Sequence, residues 1–181
     1  MKQLAYILSA FLLIGFVSCG DKSPDATEGV EIVELKGYEE INLSKWGFNM
    51  SVMVPNAEEN GEPQIELTQM GSVQIVVGAG FGIEIMYGEG DIELLKTDLK
   101  EDLVFSSEIL KEEDNALVYT QDIPNSGVKT QHHFFYKAQL GENIYEVRDL
   151  MDGEYGEGMI EKMLAAAKTI KVAETANKEA V

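Results

Sequence analysis

Positive charge is scarce in this 181-residue chain. Fourteen lysines and arginines face 32 aspartates and glutamates, a net charge of -18, and Arg148 is the only arginine. No lysine-rich run exists. Nucleic-acid binding needs cations clustered against phosphates, so that class is excluded. Anionic lipid headgroups would be repelled rather than attracted. Cysteine is scarcer still, with Cys19 alone in the chain. Beyond it no disulfide, thiolate nucleophile or cysteine-ligated metal can form. What is abundant is apolar surface: hydrophobic residues make up 45% of the chain. That level supports a buried core, and the length suits one domain that needs no disulfide scaffold.

The apolar content is concentrated first at the start. Lys2 precedes a fourteen-residue apolar run, Leu4 to Val17, broken only by Ser9. Such a run suits a secretory signal and falls short of the roughly 20 residues of a spanning helix. It ends in Phe16-Val17-Ser18-Cys19-Gly20. Small residues around a lone cysteine resemble the lipobox of bacterial lipoproteins, with Phe16 standing where an aliphatic residue is usual. The resemblance implies a diacylglyceryl group on the Cys19 thiol, cleavage before Cys19, acylation of the new amine with a palmitate-type chain, and anchoring of the exported protein in the cell envelope. Gly20 rather than aspartate follows the anchor, which favours the outer membrane. An ordinary secretory signal cut elsewhere is the alternative. It would leave an unpaired thiol in an oxidising compartment. Removing residues 1–18 takes away one lysine and no acid, leaving 13 cations against 32 anions, or -19.

The remainder reads as a lipidated cysteine and acidic tether (19–42), one domain (43–172) and a polar tail (173–181). Within the domain the dominant period is two. Trp46, Phe48, Met50, Val52 and Val54 alternate with smaller or polar residues before Pro55 ends the run, the pattern of a half-buried strand. Further strands are expected at 64–70, 72–78, 80–87, 105–111, 116–123, 130–139 and 143–150, separated by turn-forming runs. Asp91 reads as an N-cap, and Ile92, Leu95, Leu99 and Leu103 fall on one helical stripe. Asp152 can cap a final helix near 154–168, carrying Tyr155, Met159, Ile160, Met163, Leu164 and Ala167 on one side. Short turns between neighbouring strands imply a largely antiparallel sheet with two main helices packed on it, an α+β fold.

This order resembles the PsbP-like domains, to which bacterial DcrB-like exported proteins also belong. The aromatic-led strand from Trp46 to Pro55 comes first, and a helix follows Tyr87-Gly88-Glu89-Gly90. A strand meander then leads through Ile144-Tyr145-Glu146-Val147 into a helix closing on Ala165-Ala166-Ala167-Lys168-Thr169-Ile170. The resemblance covers Leu43 to Val172 and implies an α/β/α sandwich. It also implies a role in binding protein partners without enzymatic activity, and it carries no functional residue to transfer. Another antiparallel α+β domain fits the same pattern.

Several patterns invite sharper chemistry. Gly78-Ala79-Gly80-Phe81-Gly82 follows an apolar strand, yet Ile83 stands where a dinucleotide loop needs its third glycine, and a strand follows instead of a helix. Glycines at a bend explain it. Asn56 to Gly61 starts like a calcium loop, but Leu67 occupies the position of the bidentate glutamate. His132 and His133 are adjacent, so a strand sends them to opposite faces and they cannot readily share a metal. One is expected to be packed and the other exposed. Either could serve Ser106 or Ser107 in a hydrolase, though no nucleophile elbow surrounds those serines. Paired acids such as Glu58-Glu59 read as solvated charge. No catalytic, cofactor or metal residue is assigned, and Cys19 is the one site residue, for lipid attachment. The expected function is a non-enzymatic anchored lipoprotein whose acidic domain binds a protein partner, with a basic surface favoured by charge. The alternative is a small-ligand binder with a cleft between sheet and helix rimmed by Phe81, Tyr119, Phe135 or Tyr145.

Overall fold

The computed structural model describes residues 35–174; the expected signal segment, Cys19 and most of the tether and tail lie outside them. Strands β1 (Tyr38–Asn42) and β2 (Met50–Pro55) flank a 3-10 turn at Ser44–Trp46. Helix α1 (Ala57–Asn60), strands β3 (Gln64–Leu67), β4 (Val73–Val77) and β5 (Phe81–Tyr87), and helix α2 (Ile92–Glu101) follow. Then come β6 (Ser106–Glu113), β7 (Ala116–Asp122), β8 (Gln131–Leu140), β9 (Asn143–Asp149), α3 (Glu157–Ala167) and β10 (Lys171–Val172). The expected α+β class stands. One sheet has seven strands in the order β3-β4-β5-β9-β8-β7-β6, the other three in the order β1-β2-β10. Every strand pair in both is antiparallel.

Alternation along the strands sets the layers. Phe134 and Ala138 of β8 join the main core with Ile160, Met163 and Leu164 of α3 and with Met50, Val52 and Val54 of β2. The intervening Phe135 joins Leu117 and Tyr119 beneath Ile92 and Leu99 of α2. Successive residues of a strand face opposite sides, so α2 and α3 cover opposite faces of the large sheet. The small sheet shares the α3 side. Burying each large aliphatic side chain contributes roughly 1.5–3 kcal/mol. The main core therefore dominates stability, and α2 is held by the smaller cluster.

Several boundaries differ from the sequence reading. The tether does not run to residue 42, because Tyr38–Asn42 pairs along the whole of β2. At the other end Ala173, placed in the tail, is buried and donates its N–H to the Asn49 carbonyl. Trp46 lies in the 3-10 turn, so the strand opens at Met50. The loop after Pro55 holds a third, single-turn helix, whose cap Asn56 accepts from the Glu59 N–H. α2 ends before Leu103. The Asp102 carboxylate accepts the N–H groups of Val104 and Phe105 at 2.7 and 2.8 Å, an Asx turn that competes with a further helical turn. Leu103 is consequently 99% exposed. The last helix is capped by Gly156 rather than Asp152, and Met159 lies exposed. Tyr155 stays outside the helix and lies over Gly82, where a Cβ would run into its Oη.

Candidate functional site

The two histidines part as adjacent strand residues must, with His132 half-buried and His133 buried. His133 Nδ1 lies 2.7 Å from Asp149 Oδ2, and both side chains are almost wholly shielded from solvent. The other Asp149 oxygen accepts the Phe134 N–H at 2.9 Å. The β8–β9 ladder gives its reason. Pairing between these strands stops at Phe135↔Arg148, and the Asp149 carboxylate takes over the next β8 amide as an acceptor. Buried backbone donors need such a partner. The Tyr119 ring packs on the imidazole with centroids 5.4 Å apart.

A carboxylate holding an imidazole by Nδ1 is the orienting half of a nucleophilic centre. The other half is a hydroxyl or thiol within hydrogen-bond reach of Nε2. His133 Nε2 has no hydrogen-bond partner among the described residues. Ser106 and Ser107 sit on β6, two strands from β8, about 9–10 Å at ordinary strand spacing. Opposite His133 across β7 stand Tyr119 and then Ile109, not a serine. The structure thus brings neither serine to the histidines. The pair serves as a clip that ties β8 to the end of β9.

Burial, reinforced by the Asp149 carboxylate, pushes the Tyr119 phenol up to about 12. In the unfolded chain a tyrosine ionises near 10. The contribution of Tyr119 to stability is therefore complete below about pH 10 and disappears as pH rises through 12. At 1.36 kcal/mol per unit this amounts to about 2–3 kcal/mol. Tyr119→Phe should flatten the alkaline decline of stability by that amount, read from denaturant midpoints across this range. An unchanged slope would mean that water reaches the phenol.

The four aromatics expected around one ligand cleft are divided by the sheet. Phe81 and Tyr145 belong to the core on the α3 side, Tyr119 and Phe135 to the cluster beneath α2. The glycine run forms the hairpin turn between β4 and β5, with Gly78 at φ +56. Among the described residues no three His, Cys, Asp or Glu side chains converge as a metal-binding group.

An open groove of about 1180 Å³ lies between the C-terminal half of α2, the loop after it and strand β6. Leu103, Val104 and Ile109 provide apolar surface at 99, 61 and 40% exposure. Glu93, Glu101, Asp102 and Glu108 line it against Lys96 and Lys100. Strand β6 is the last of the large sheet and pairs only with β7.

No family model, curated protein or solved structure matches this chain.

Two features of the domain escaped the sequence reading. Asp149 sits sixteen residues from His133 and follows Arg148, so it reads as solvated charge. Its buried neighbour Val147 and the half-exposed Arg148 give no local sign of it. The groove depends on α2 ending at Glu101 with Asp102 as its cap, which moves Leu103 from an expected core stripe onto the surface. The aspartate just ahead of Leu103 was the available signal. Among the described residues no helix is long and apolar enough to cross a membrane.

Proposed function

We propose that this chain is a non-enzymatic lipoprotein, anchored through Cys19 in the bacterial envelope, whose acidic domain docks a basic protein partner in the groove between α2 and β6. The observation that carries the docking surface is the coincidence of exposed apolar side chains with an excess of carboxylates in one concave site. Contiguous apolar surface rimmed by charge marks interaction sites on soluble domains. The net charge of -18 would speed encounter with a cationic surface and make it depend on salt. The export signature ahead of Cys19 supports the anchor. The layering of the large sheet between α2 and α3 is in keeping with a PsbP-like domain.

A photo-crosslinking amino acid at Leu103, in cells that naturally make the protein, tests the docking surface. We expect a discrete protein adduct that weakens as salt rises and disappears with Glu101→Lys plus Glu108→Lys. The same probe at Met70, equally accessible at 93% exposure in the β3–β4 turn, should give none. Equal labelling at Met70, or an adduct indifferent to charge reversal, would overturn the groove as the docking site. Substrate turnover by the purified protein that is lost in His132→Ala would overturn the non-enzymatic part.

A further inference from the structure

The edges of the large sheet are unequal. At one end β3 has only four residues; at the other, β6 has eight. Long free edges invite a further strand, and proteins usually blunt them with lysine, bulges or a covering element. β6 is blunted over its second half only. The pairing register shifts between Ile109 and Lys111, a bulge at Leu110. Past it, Lys96 of α2 reaches Glu112 at 2.7 Å and leans the helix over the strand. The first half, Ser106 to Ile109, carries neither device. Among the described residues its backbone makes no hydrogen bond outside the β6–β7 ladder, although every second N–H and C=O of an edge strand faces away from its neighbour.

This free run borders the groove, and from that geometry we infer that Ser106–Ile109 is a strand-acceptor edge. It takes an extended segment of the partner, alternating basic with aliphatic residues, as an additional strand of the large sheet. The inference rests on the docking surface proposed above and names its chemistry. Main-chain pairing gives such additions affinity, and alternate side chains give specificity. The incoming strand's cations face Glu108, while its aliphatic residues meet Ile109 on the opposite, α2-covered face beside Leu103 and Val104. A second copy of this chain does not suit the edge. Pairing β6 with itself would set Glu108, Glu112 and Glu113 of both copies along one seam, and like charges across a strand pair destabilise it. The same carboxylates that refuse a copy attract a basic strand.

The probe is a capped peptide as long as β6 that alternates lysine with valine, added to the purified full-length protein in a non-ionic detergent. Controls are the same peptide N-methylated on alternate backbone amides and a peptide alternating glutamate with valine. We expect the lysine peptide to bind and to slow hydrogen exchange along Ser106–Ile109. N-methylation should weaken binding at least about tenfold, a difference of about 1.4 kcal/mol. Glu108→Lys should weaken the lysine peptide, and the glutamate peptide should not bind the native protein. Equal binding of the N-methylated peptide would overturn strand addition while leaving a partner crosslinked at Leu103 in place. Protection confined to β3 or to the α3 side would overturn it as well. Concentration-dependent dimers crosslinked from β6 to β6 would show that the edge takes a second copy, contrary to the inference. If Leu103 yields no adduct in cells, it is the docking reading itself that fails, whatever the peptide does.

Discussion

Replacing Asp149 with alanine should cost about 2–6 kcal/mol of folding stability, because two buried hydrogen-bonding groups lose their shared partner. The carboxylate is fully buried and accepts from Phe134 N at 2.9 Å while holding His133 Nδ1 at 2.7 Å. Its removal strands two buried nitrogens where no solvent reaches, and each unsatisfied group costs about 1–3 kcal/mol. Asp149→Asn keeps one acceptor oxygen in place and should lose less. Adding His133→Leu to Asp149→Ala removes one stranded group but not the Phe134 amide. The double variant should therefore recover only part of the loss, a coupling visible in a mutant cycle. Denaturant midpoints at unchanged slope measure all of this. A loss below about 1 kcal/mol for Asp149→Ala would place the site within reach of water, and the clip between β8 and β9 would carry little.

The strands were legible because apolar alternation is a local signal that survives without tertiary knowledge. Val73, Ile75 and Val77, or Tyr145 and Val147, announce the inward face of a sheet by themselves. The histidine pair was half legible. Alternation sends the two histidines to opposite faces, but it does not say which is packed, and nothing local says that an aspartate on the next strand waits for the imidazole of His133. Strand β1 was hidden by Glu39 and Glu40, which read as tether, whereas Tyr38 and Ile41 pack against the main core and backbone pairing to β2 does the rest. The acceptor edge was the least legible part. It requires a strand to be last in its sheet, a bulge at Leu110 and a helix that stops at Glu101, two residues before the expected stripe ends. Strand order and the bulge are set by pairing at a distance, and the helix stop by a side chain competing with the backbone.

The largest change in location is expected from a single sulfur. Cys19→Ser removes the only thiol in the chain and with it the acceptor of the proposed diacylglyceryl group. Each buried methylene contributes about 0.8 kcal/mol to membrane residence, so several acyl chains anchor stably where one alone holds marginally. Nothing else in the chain replaces them. The apolar run before Cys19 is fourteen residues, short of the roughly 20 that span a bilayer. The net charge of -18 faces anionic headgroups with repulsion. Fatty-acid labelling should therefore vanish and the domain should move from the membrane to the soluble fraction. The fold should be unaffected, because among the described residues the core and what packs on it begin at Leu35, well past Cys19. Exchange protection over Ser106–Ile109 by the lysine–valine peptide should persist in the released form, since the edge and the anchor share no residue. Persistent labelling, or unchanged fractionation of Cys19→Ser, would place the attachment elsewhere and refute the anchor.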